Sequence, residues 1–234
     1  MKPLRNGIAY IWEGRLDAGS AVTAAARALL SPRERSRADR FVYDHHRRRY
    51  TVAQAHLRRV LGNLTGDHPA TIRFQYGEHG KPFLADGPVF NQSHSSERVM
   101  IGVAAQGRLG IDIEKRRTVR LMSEIARKNF APAESELFRH TPAPDRQHVF
   151  FQLWTCKEAF LKALGVGLTA PLRSFSVDPS RNPRSALVHA SAHGERPSDW
   201  HVGNIPCSSG ATAAIAIDCP GIAVEPLGYD PAGL

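Results

Sequence analysis

The chain has 234 residues, enough for one large domain or two small ones with a sizeable buried core. Its hydrophobic content of 42% and charged content of 23% are ordinary for a soluble globular protein. The formal net charge of +9 at pH 7 is unusual and predicts a polyanionic partner: nucleic acid, a phosphorylated ligand, an acidic protein or a membrane surface.

Several classes of protein are disfavoured by simple absences in the sequence. No stretch approaches the ~20 apolar residues of a membrane span, and Arg5 and Glu13 interrupt the start of the chain where a signal peptide would be apolar. The cysteines Cys156, Cys207 and Cys219 are widely spaced and form no zinc or redox motif. We therefore expect a reduced, cytoplasmic compartment, and a packing role for Cys156.

A strand and two helices are predicted early in the chain. The strand covers residues 7–12. The sequence Ser-Pro-Arg-Glu at 31–34 has the form of a capping box with proline at the first helical position, which predicts a helix start. Residues 46–61 place Tyr50 and Leu57 on one stripe and precede Gly62, which predicts a second helix.

Short strands follow these helices. They are predicted at residues 72–74 and 89–90. Residues 99–104 and 109–114 have the pattern of a hairpin around Gln-Gly at 106–107.

The second half is predicted to contain two helices and then strands. The first helix, near 121–130, is stopped by Pro132, and the second runs over 145–164 and ends at Gly165. The predicted strands are 175–177, 186–189, 200–202 and 211–217. Strands and helices mixed without regular βαβ alternation predict an α+β fold, and no convincing sequence repeat is visible.

The segment Gly-Ile-Asp-Ile-Glu at 110–114 is chemically informative. In a strand, Asp112 and Glu114 project to one side while Ile111 and Ile113 project to the other. Such a pair of acids can hold a hard cation, because Mg²⁺ prefers carboxylate, phosphate and water oxygens. The alternative is an ordinary solvated strand end.

The segment Trp-Thr-Cys-Lys-Glu-Ala-Phe-Leu-Lys at 154–162 adds a third acid and two lysines. Glu158 and Lys162 are four residues apart and lie on one face of a hydrophobic helix, where they could also form a plain ion pair. Charges beside residues that look buried, such as Trp154 and Phe160, favour a functional role. Together the two segments indicate magnesium-assisted phosphoryl chemistry.

These segments resemble the paired signature of the 4′-phosphopantetheinyl transferases of the larger, surfactin-synthetase-activating type. Gly-Lys-Pro at 80–82, Asn-Gln-Ser-His-Ser at 91–95, and an N-terminal helical region with Phe41 resemble further elements of that family in the same order. The resemblance covers about residues 5–220. It implies two similar α+β halves related by pseudo-twofold symmetry, with the active site between them. The halves would be 1–115 and 116–220. Separately, the end of the chain is rich in Gly and Pro, so we expect a flexible tail over 221–234.

The resemblance also implies a reaction. The 4′-phosphopantetheine arm of coenzyme A passes to a serine of an apo acyl or peptidyl carrier protein, and adenosine 3′,5′-bisphosphate is released. Asp112, Glu114 and Glu158 would hold Mg²⁺, with Glu158 either the proton acceptor or only a metal ligand. Lys162 would neutralise charge on the α-phosphate side of the pyrophosphate, and Lys157 would assist it.

Other residues resemble contacts to coenzyme A. Arg49 matches an arginine that contacts the 3′-phosphate, and Arg37 a basic residue at the entrance of the same site. Each could equally belong to a solvated helical face. Lys81 and Pro82 match residues beside the adenine nucleotide, although Gly-Lys-Pro is also a common turn.

Three further positions belong to the resemblance. His94 would bond a phosphate of coenzyme A, assisted by Ser93, within a stretch whose composition is typical of turns. Gln92 replaces the usual aliphatic residue, which affects the expected strand packing. Glu134, at a helix start, matches an acid near the metal and is expected to be an accessory.

Two alternatives differ in class from the transferase. Seven arginines between residues 33 and 49 could form a nucleic-acid surface, but the chain contains no recognisable reader motif, so we expect no nucleic-acid partner. A carrier-binding protein that had lost the chemistry would not need the intact acids. A P-loop and a Gly-x-Ser-x-Gly elbow are both missing. Two halves in one chain also predict a monomer.

Overall fold

The computed structural model describes residues 4–167, 170–181, 186–190 and 193–227. The helices are α1 (Ser20–Leu29), α2 (Pro32–Asp39), α3 (Asp44–Thr65), α4 (Met122–Asn129), α5 (Pro132–His140) and α6 (Arg146–Leu164). The strands are β1 (Ile8–Arg15), β2 (Gln75–Tyr76), β3 (Pro82–Phe83), β4 (Val89–Ser95), β5 (Arg98–Ala104), β6 (Leu109–Lys115), β7 (Ser176–Val177), β8 (Leu187–His189), β9 (His201–Ile205), β10 (Ala211–Ile217) and β11 (Ala223–Pro226). Over these ranges, no helix is both long enough and apolar enough to cross a bilayer.

Two main sheets organise the strands. The first sheet has the order β11-β1-β5-β4, in which β11 is parallel to β1 and the other pairs are antiparallel. The second sheet is antiparallel, with the order β6-β10-β9. Pairs β2-β3 and β7-β8 form two small ribbons. This mixture without βαβ units confirms the predicted α+β class.

The two sheets pack face to face, and helices cover their outer faces. Leu109, Ile111 and Ile113 of β6 lie in the apolar layer between the sheets. Residues on the opposite face of β6 turn towards α6, as the period of two predicts. Helix α3 similarly covers the outer face of the first sheet. The order of layers is therefore helix, sheet, sheet, helix.

The expected hairpin of β5 and β6 is wrong. β5 already has β1 on one side and β4 on the other, so neither of its edges is free for β6. β6 instead pairs with β10 in the second sheet, and its apolar face packs on the first. Alternation of apolar and polar residues shows only that one face of each strand is buried. Two successive strands have this pattern whether they pair in a hairpin or stack in different sheets, so the pattern cannot distinguish the two arrangements.

Several boundaries differ from the sequence-based expectation. Helix α3 continues past Gly62 to Gly66, whose φ of 85° provides the left-handed end. The expected strand at 72–74 is displaced to β2. Helix α1 was not predicted, and only the start of α5, at Glu134, was. The stretch 91–95 lies in β4, not in a turn. Helix α6 ends at Gly165, as predicted.

The sheets do not follow the expected division of the chain at residue 115. β6 precedes that boundary but belongs to the second sheet, whereas β11 returns from the end of the chain to the first. The expected flexible tail therefore includes a strand, in which Ala223 to Pro226 pair with β1. Residues 228–234 of that tail lie outside the described residues.

The two halves share a buried ion pair of the same design. Glu34 bonds the backbone N–H of Ser31 at 2.7 Å, in the predicted capping box, and accepts from Nε of Arg58 on α3 at 2.9 Å. Glu134 bonds the backbone N–H of Ala131 at 2.7 Å and accepts from Nζ of Lys157 on α6 at 2.7 Å. Each long helix thus carries a buried cation held by the acid that begins the preceding helix. Only proline and glutamate recur in the two short segments, so the sequence alone did not reveal this repeat.

Candidate active site

The edges of the two sheets meet where β4 lies beside β6. Side chains of β4 bridge this junction, which we call the seam. Oδ1 of Asn91 accepts from the backbone N–H of Ile111 at 2.9 Å, and Oγ of Ser95 accepts from the backbone N–H of Lys115 at 3.1 Å. Because alternate residues of a strand share a face, Asn91, Ser93 and Ser95 all reach the seam. The Asn-x-Ser-x-Ser spacing is the sequence signal for this arrangement.

Asp112 lies at the centre of the seam. Its side chain is buried, and Oδ1 accepts from Oγ of Ser93 at 2.8 Å and from Nζ of Lys162 at 2.6 Å. Its other oxygen, Oδ2, is buried with no hydrogen-bond partner among the described residues. A buried carboxylate oxygen normally has a partner, so this one is available to a ligand.

Two more acids adjoin Asp112, and the three together form what we call the acidic cluster. Glu114 accepts from Oγ of Ser95 at 2.6 Å, and Glu158 lies on the face of α6 that meets β6. Burial raises the pKa of Glu158, and the negative charges of Asp112 and Glu114 raise it further. Burial likewise raises the pKa of Glu114, although the hydrogen bond from Ser95 lowers it in part.

The cluster fits a hard divalent cation in its chemistry. Its ligands are carboxylate oxygens, one of them without a partner in the described part of the chain, and their mutual repulsion would be relieved by a positive ion. In their present side-chain conformations, no three His, Cys, Asp or Glu residues in the described ranges lie close enough together to hold a metal ion. Lys162 instead supplies the positive charge beside Asp112.

Gly110 allows α6 to lie directly against β6. A Cβ at this position would overlap the carbonyl oxygen of Ala159 and the backbone nitrogen of Ala163. Ala214 and Ala216 on the neighbouring strand β10 are also small and buried under the helix. The close approach brings Lys162 within hydrogen-bond distance of Asp112, a role for Gly110 that the sequence alone did not reveal.

A pocket of about 180 Å³ lies in the first half, beside β4. We call it the basic pocket; its lining residues are Leu16, Phe41, His46, Arg49, Tyr50, His94 and Ser96. Arg49 donates to Oδ1 of Asp17 at 2.9 Å across an exposed ion pair. Desolvation lowers the pKa of His94, and the positive charge of Lys162 lowers it further. His46 and Asp17 were not singled out from the sequence.

Arg37 lies at the edge of the basic pocket. Its guanidinium carbon is 5.4 Å from the centre of the Tyr50 ring, and Tyr50 lines the pocket. The Arg37 side chain is exposed, and its charge contributes to the lowered pKa of His94. The structure therefore brings Arg37, Arg49 and His94 into one region.

The side chain of Lys81 is engaged within the protein, although the residue was expected beside the adenine nucleotide. Its ammonium donates to the backbone carbonyls of Leu109, Lys162 and Ala163 at 2.8, 2.6 and 3.2 Å. Burial lowers its pKa to about 8. Pro82 follows as the first residue of β3.

Lys157 does not reach the acidic cluster. Its side chain is 0% exposed, and its ammonium donates to Glu134 and to the carbonyl of Phe175 at 2.8 Å. Glu134 also accepts from the backbone N–H of Val177 at 2.7 Å. In this structure both residues hold the second half together, rather than assisting at the cluster as expected. Cys156 is buried and burial raises its pKa to about 12, which fits the expected packing role.

Comparison with known proteins gives the family directly. Residues 108–217 match the model of the 4′-phosphopantetheinyl transferase superfamily, and residues 18–108 match that of the 4′-phosphopantetheinyl transferase N-terminal domain. The boundary at 108 coincides with the change of sheet between β5 and β6.

Two relatives agree with the family models in sequence. 4′-Phosphopantetheinyl transferase HetI of Nostoc sp. is 38% identical over 164 residues, which are 68% of this chain and 69% of HetI. 4′-Phosphopantetheinyl transferase Sfp of Bacillus subtilis is 34% identical over 152 residues, or 64% and 66% of the two chains. A holo-[acyl-carrier-protein] synthase structure from Thermotoga maritima matches 55% of this chain and 71% of its own at 20% identity, with a TM-score of 0.36. The chain belongs to the 4′-phosphopantetheinyl transferase superfamily.

Proposed function

We propose that this protein transfers the 4′-phosphopantetheine arm from coenzyme A to a serine of an apo acyl or peptidyl carrier protein. The oxygen of the serine hydroxyl bonds to the β-phosphorus of coenzyme A. The bond from that phosphorus to the oxygen bridging to the α-phosphate breaks, and its electron pair leaves with adenosine 3′,5′-bisphosphate. The serine proton passes to a base on the enzyme.

One observation carries this proposal. Asp112 meets Lys162 at 2.6 Å in the seam, with Glu114 and Glu158 beside it and the basic pocket on the adjoining part of β4. Coenzyme A has a pyrophosphate and a separate 3′-phosphate. The acids could hold a cation, the lysine could bind the pyrophosphate, and the basic pocket could bind the 3′-phosphate. Membership of the family supports the same reaction.

The acidic cluster would hold Mg²⁺ through Asp112, Glu114 and Glu158. When bound, the ion neutralises charge on the pyrophosphate and helps the leaving phosphate depart. The Oδ2 of Asp112, which has no partner among the described residues, is the feature of this chain that most favours a cation there.

Glu158 is our candidate for the proton acceptor. A carboxylate with an ordinary pKa is a weak base at neutral pH, and efficiency rises as the pKa approaches the working pH. Burial and the neighbouring acids shift the pKa of Glu158 in that direction.

Lys162 and Ser93 are positioned for the pyrophosphate. Both bond Oδ1 of Asp112, and the Lys162 side chain is 31% exposed, so its ammonium can also reach a phosphate oxygen in the seam. A lysine acts there as a point charge that balances the donor's negative charge.

The basic pocket is our proposed site for the 3′-phosphate of coenzyme A. Arg49 pairs with exposed Asp17, and exposed pairs contribute little, so a phosphate can replace the carboxylate. His94 and Arg37 would add a hydrogen bond and a charge, and Pro82 would lie beside the adenine.

The positive charge of the chain has a use in this scheme. A net charge of +9 attracts an acidic carrier protein and raises the rate of encounter, with no need for a nucleic-acid partner. Both edges of the seam come from one chain, which supports a monomer. We infer a cytoplasmic enzyme, since coenzyme A and carrier proteins would be met there.

Mass measurement of a panel of apo carriers tests the proposal. After incubation with the protein, coenzyme A and Mg²⁺, at least one carrier should gain the mass of one phosphopantetheine arm. Carrier binding without modification would refute the transferase. A gel shift with DNA or RNA that persists at moderate salt, with all carriers unmodified, would favour the nucleic-acid alternative.

A further inference from the structure

Lys81 links the two elements that carry the active-site charges. It precedes β3, outside the seam, yet its ammonium bonds Leu109 at the start of β6 and Lys162 and Ala163 in the last turn of α6. We call these three hydrogen bonds the Lys81 bridge. β6 carries Asp112, and α6 carries Glu158 and Lys162.

The bridge leaves Lys81 no donor for a substrate. A lysine ammonium has three N–H groups and no acceptor. Three carbonyl oxygens lie within 2.6–3.2 Å of Nζ, one for each N–H. A direct bond from this ammonium to a phosphate would therefore have to break part of the bridge.

The bridge acts on Lys162 through its backbone. The carbonyl of Lys162 accepts from Lys81 at 2.6 Å, and the ammonium of the same residue donates to Asp112 at 2.6 Å. The bridge and the close approach at Gly110 both hold α6 against β6. The approach at Gly110 sets the spacing between helix and strand, whereas the bridge resists sliding of the helix along the strand.

We infer that Lys81 is a positioning residue, which keeps α6 at a fixed height on β6 and so holds Lys162 on Asp112. This inference rests on the proposed function for its consequences in catalysis. Displacement of reacting groups by about 1 Å can cost roughly a hundred-fold in rate, so a residue remote from the chemistry can have a large effect.

The bridge depends on the charge state of Lys81. Burial lowers its pKa to about 8, while the charge of Asp218 raises it and that of Arg108 lowers it. Below that pKa the ammonium can make all three bonds. Above it the neutral amine keeps two N–H groups, so the bridge weakens.

Replacement of Lys81 by methionine tests the inference. Lys81→Met keeps most of the side-chain volume and removes every donor, and Lys128→Met, on the exposed face of α4, is the matched control. We expect kcat for carrier modification to fall roughly ten- to hundred-fold, with KM for coenzyme A within about two-fold of wild type. Lys81→Gln, which retains two donors, is measured in parallel and should lose less, so the test does not depend on one variant folding.

A double-mutant cycle separates positioning from a general loss of structure. Because a shift of α6 moves Glu158 as well as Lys162, adding Lys81→Met to Lys162→Met should lower the residual rate by a smaller factor than Lys81→Met lowers the rate of wild type. Additive losses would overturn the inference. A large rise in KM for coenzyme A with unchanged kcat would instead indicate a direct contact with the substrate, and would also overturn it.

Hydrogen exchange gives a result that does not depend on activity. The amide of Gly165 bonds the carbonyl of Leu161 in the last turn of α6. It should exchange faster in Lys81→Met than in wild type or Lys128→Met, because the turn has lost its anchor. Unchanged exchange would contradict the bridge. Failure of wild type to modify any carrier would contradict the proposed function and leave the exchange result valid.

Discussion

Lys157 donates to Glu134 at 2.7 Å, and the exposed fractions of the two side chains are 0% and 1%. The next residue, Glu158, belongs to the acidic cluster. Successive residues of a helix are rotated by about 100°, so neighbours in the same short motif can face the core and the active site. In this motif the lysine therefore stabilises the second half, and the glutamate is available for chemistry.

We predict that Lys157→Met destabilises the protein strongly. Removing one partner leaves Glu134 buried and charged, which typically costs about 3–5 kcal/mol. Urea unfolding measures the effect. The double variant Lys157→Met/Glu134→Gln should lose less than the sum of the single losses, because neither charge remains unpaired. Normal stability of Lys157→Met with a raised KM for coenzyme A would restore the phosphate contact expected from the sequence.

Glu158→Gln should have the opposite effect on stability. The pKa of Glu158 is raised in the folded protein, so the unfolded chain binds fewer protons between the two pKa values and stability falls as pH rises through that window. The variant should therefore melt at the same temperature as wild type or higher at neutral pH, with the difference vanishing in acid. Its transfer rate should fall by at least roughly a hundred-fold.

Glu136→Gln is the control for that experiment. Glu136 is exposed on α5 and pairs with Arg139 at 2.6 Å. The Glu136→Gln variant should transfer at close to the wild-type rate. A Glu158→Gln variant that transfers at nearly the wild-type rate would exclude Glu158 as the base.

Gly110→Ala should affect both stability and transfer. The added Cβ overlaps the backbone of α6 at Ala159 and Ala163, so the helix must shift from β6, and overpacking of this kind typically costs about 1–3 kcal/mol. Gly19→Ala is the control, since nothing lies within 4 Å of its added Cβ. Thermal unfolding and carrier modification are measured together. Full activity in Gly110→Ala would show that the close approach is not needed.

Arg49→Ala and His94→Ala should raise KM for coenzyme A more than they lower kcat. Both residues line the basic pocket, apart from the reacting bond, so their contribution should appear as uniform binding. Arg48→Ala is the control because Arg48 pairs with exposed Asp44 and does not line the pocket. Dephospho-coenzyme A, which lacks the 3′-phosphate, should be used equally well by wild type and Arg49→Ala. A preference for coenzyme A that survives unchanged in Arg49→Ala would contradict the assignment.

The elements that the sequence predicted well are those with strong local signals. Helix α6 combines a long apolar pattern with a terminal glycine, and strand β6 alternates Ile111 and Ile113 with Asp112 and Glu114. These periodicities also place the acidic cluster on one side of a strand and one face of a helix. That Asp112 lies near Glu158 could not be predicted from these periodicities; it required either the structure or the resemblance to a family.

What the sequence did not predict depends on partners distant in the chain. Lys81 was expected either in a plain turn or beside the adenine nucleotide, but its three acceptors lie 28, 81 and 82 residues away. The hairpin of β5 and β6 failed for a related reason, because alternation does not specify which strand is the neighbour.

The acidic cluster in the seam is the proposed site of divalent-cation-dependent transfer from coenzyme A. The most direct measurement follows carrier modification and release of adenosine 3′,5′-bisphosphate together, for wild type and Asp112→Asn, with Mg²⁺ and after exhaustive chelation. This substitution keeps a side-chain oxygen for Ser93 and removes the negative charge. We predict equal amounts of the two products from wild type with Mg²⁺, and almost none after chelation or from a folded Asp112→Asn variant. Full activity in either of those two cases would contradict the account.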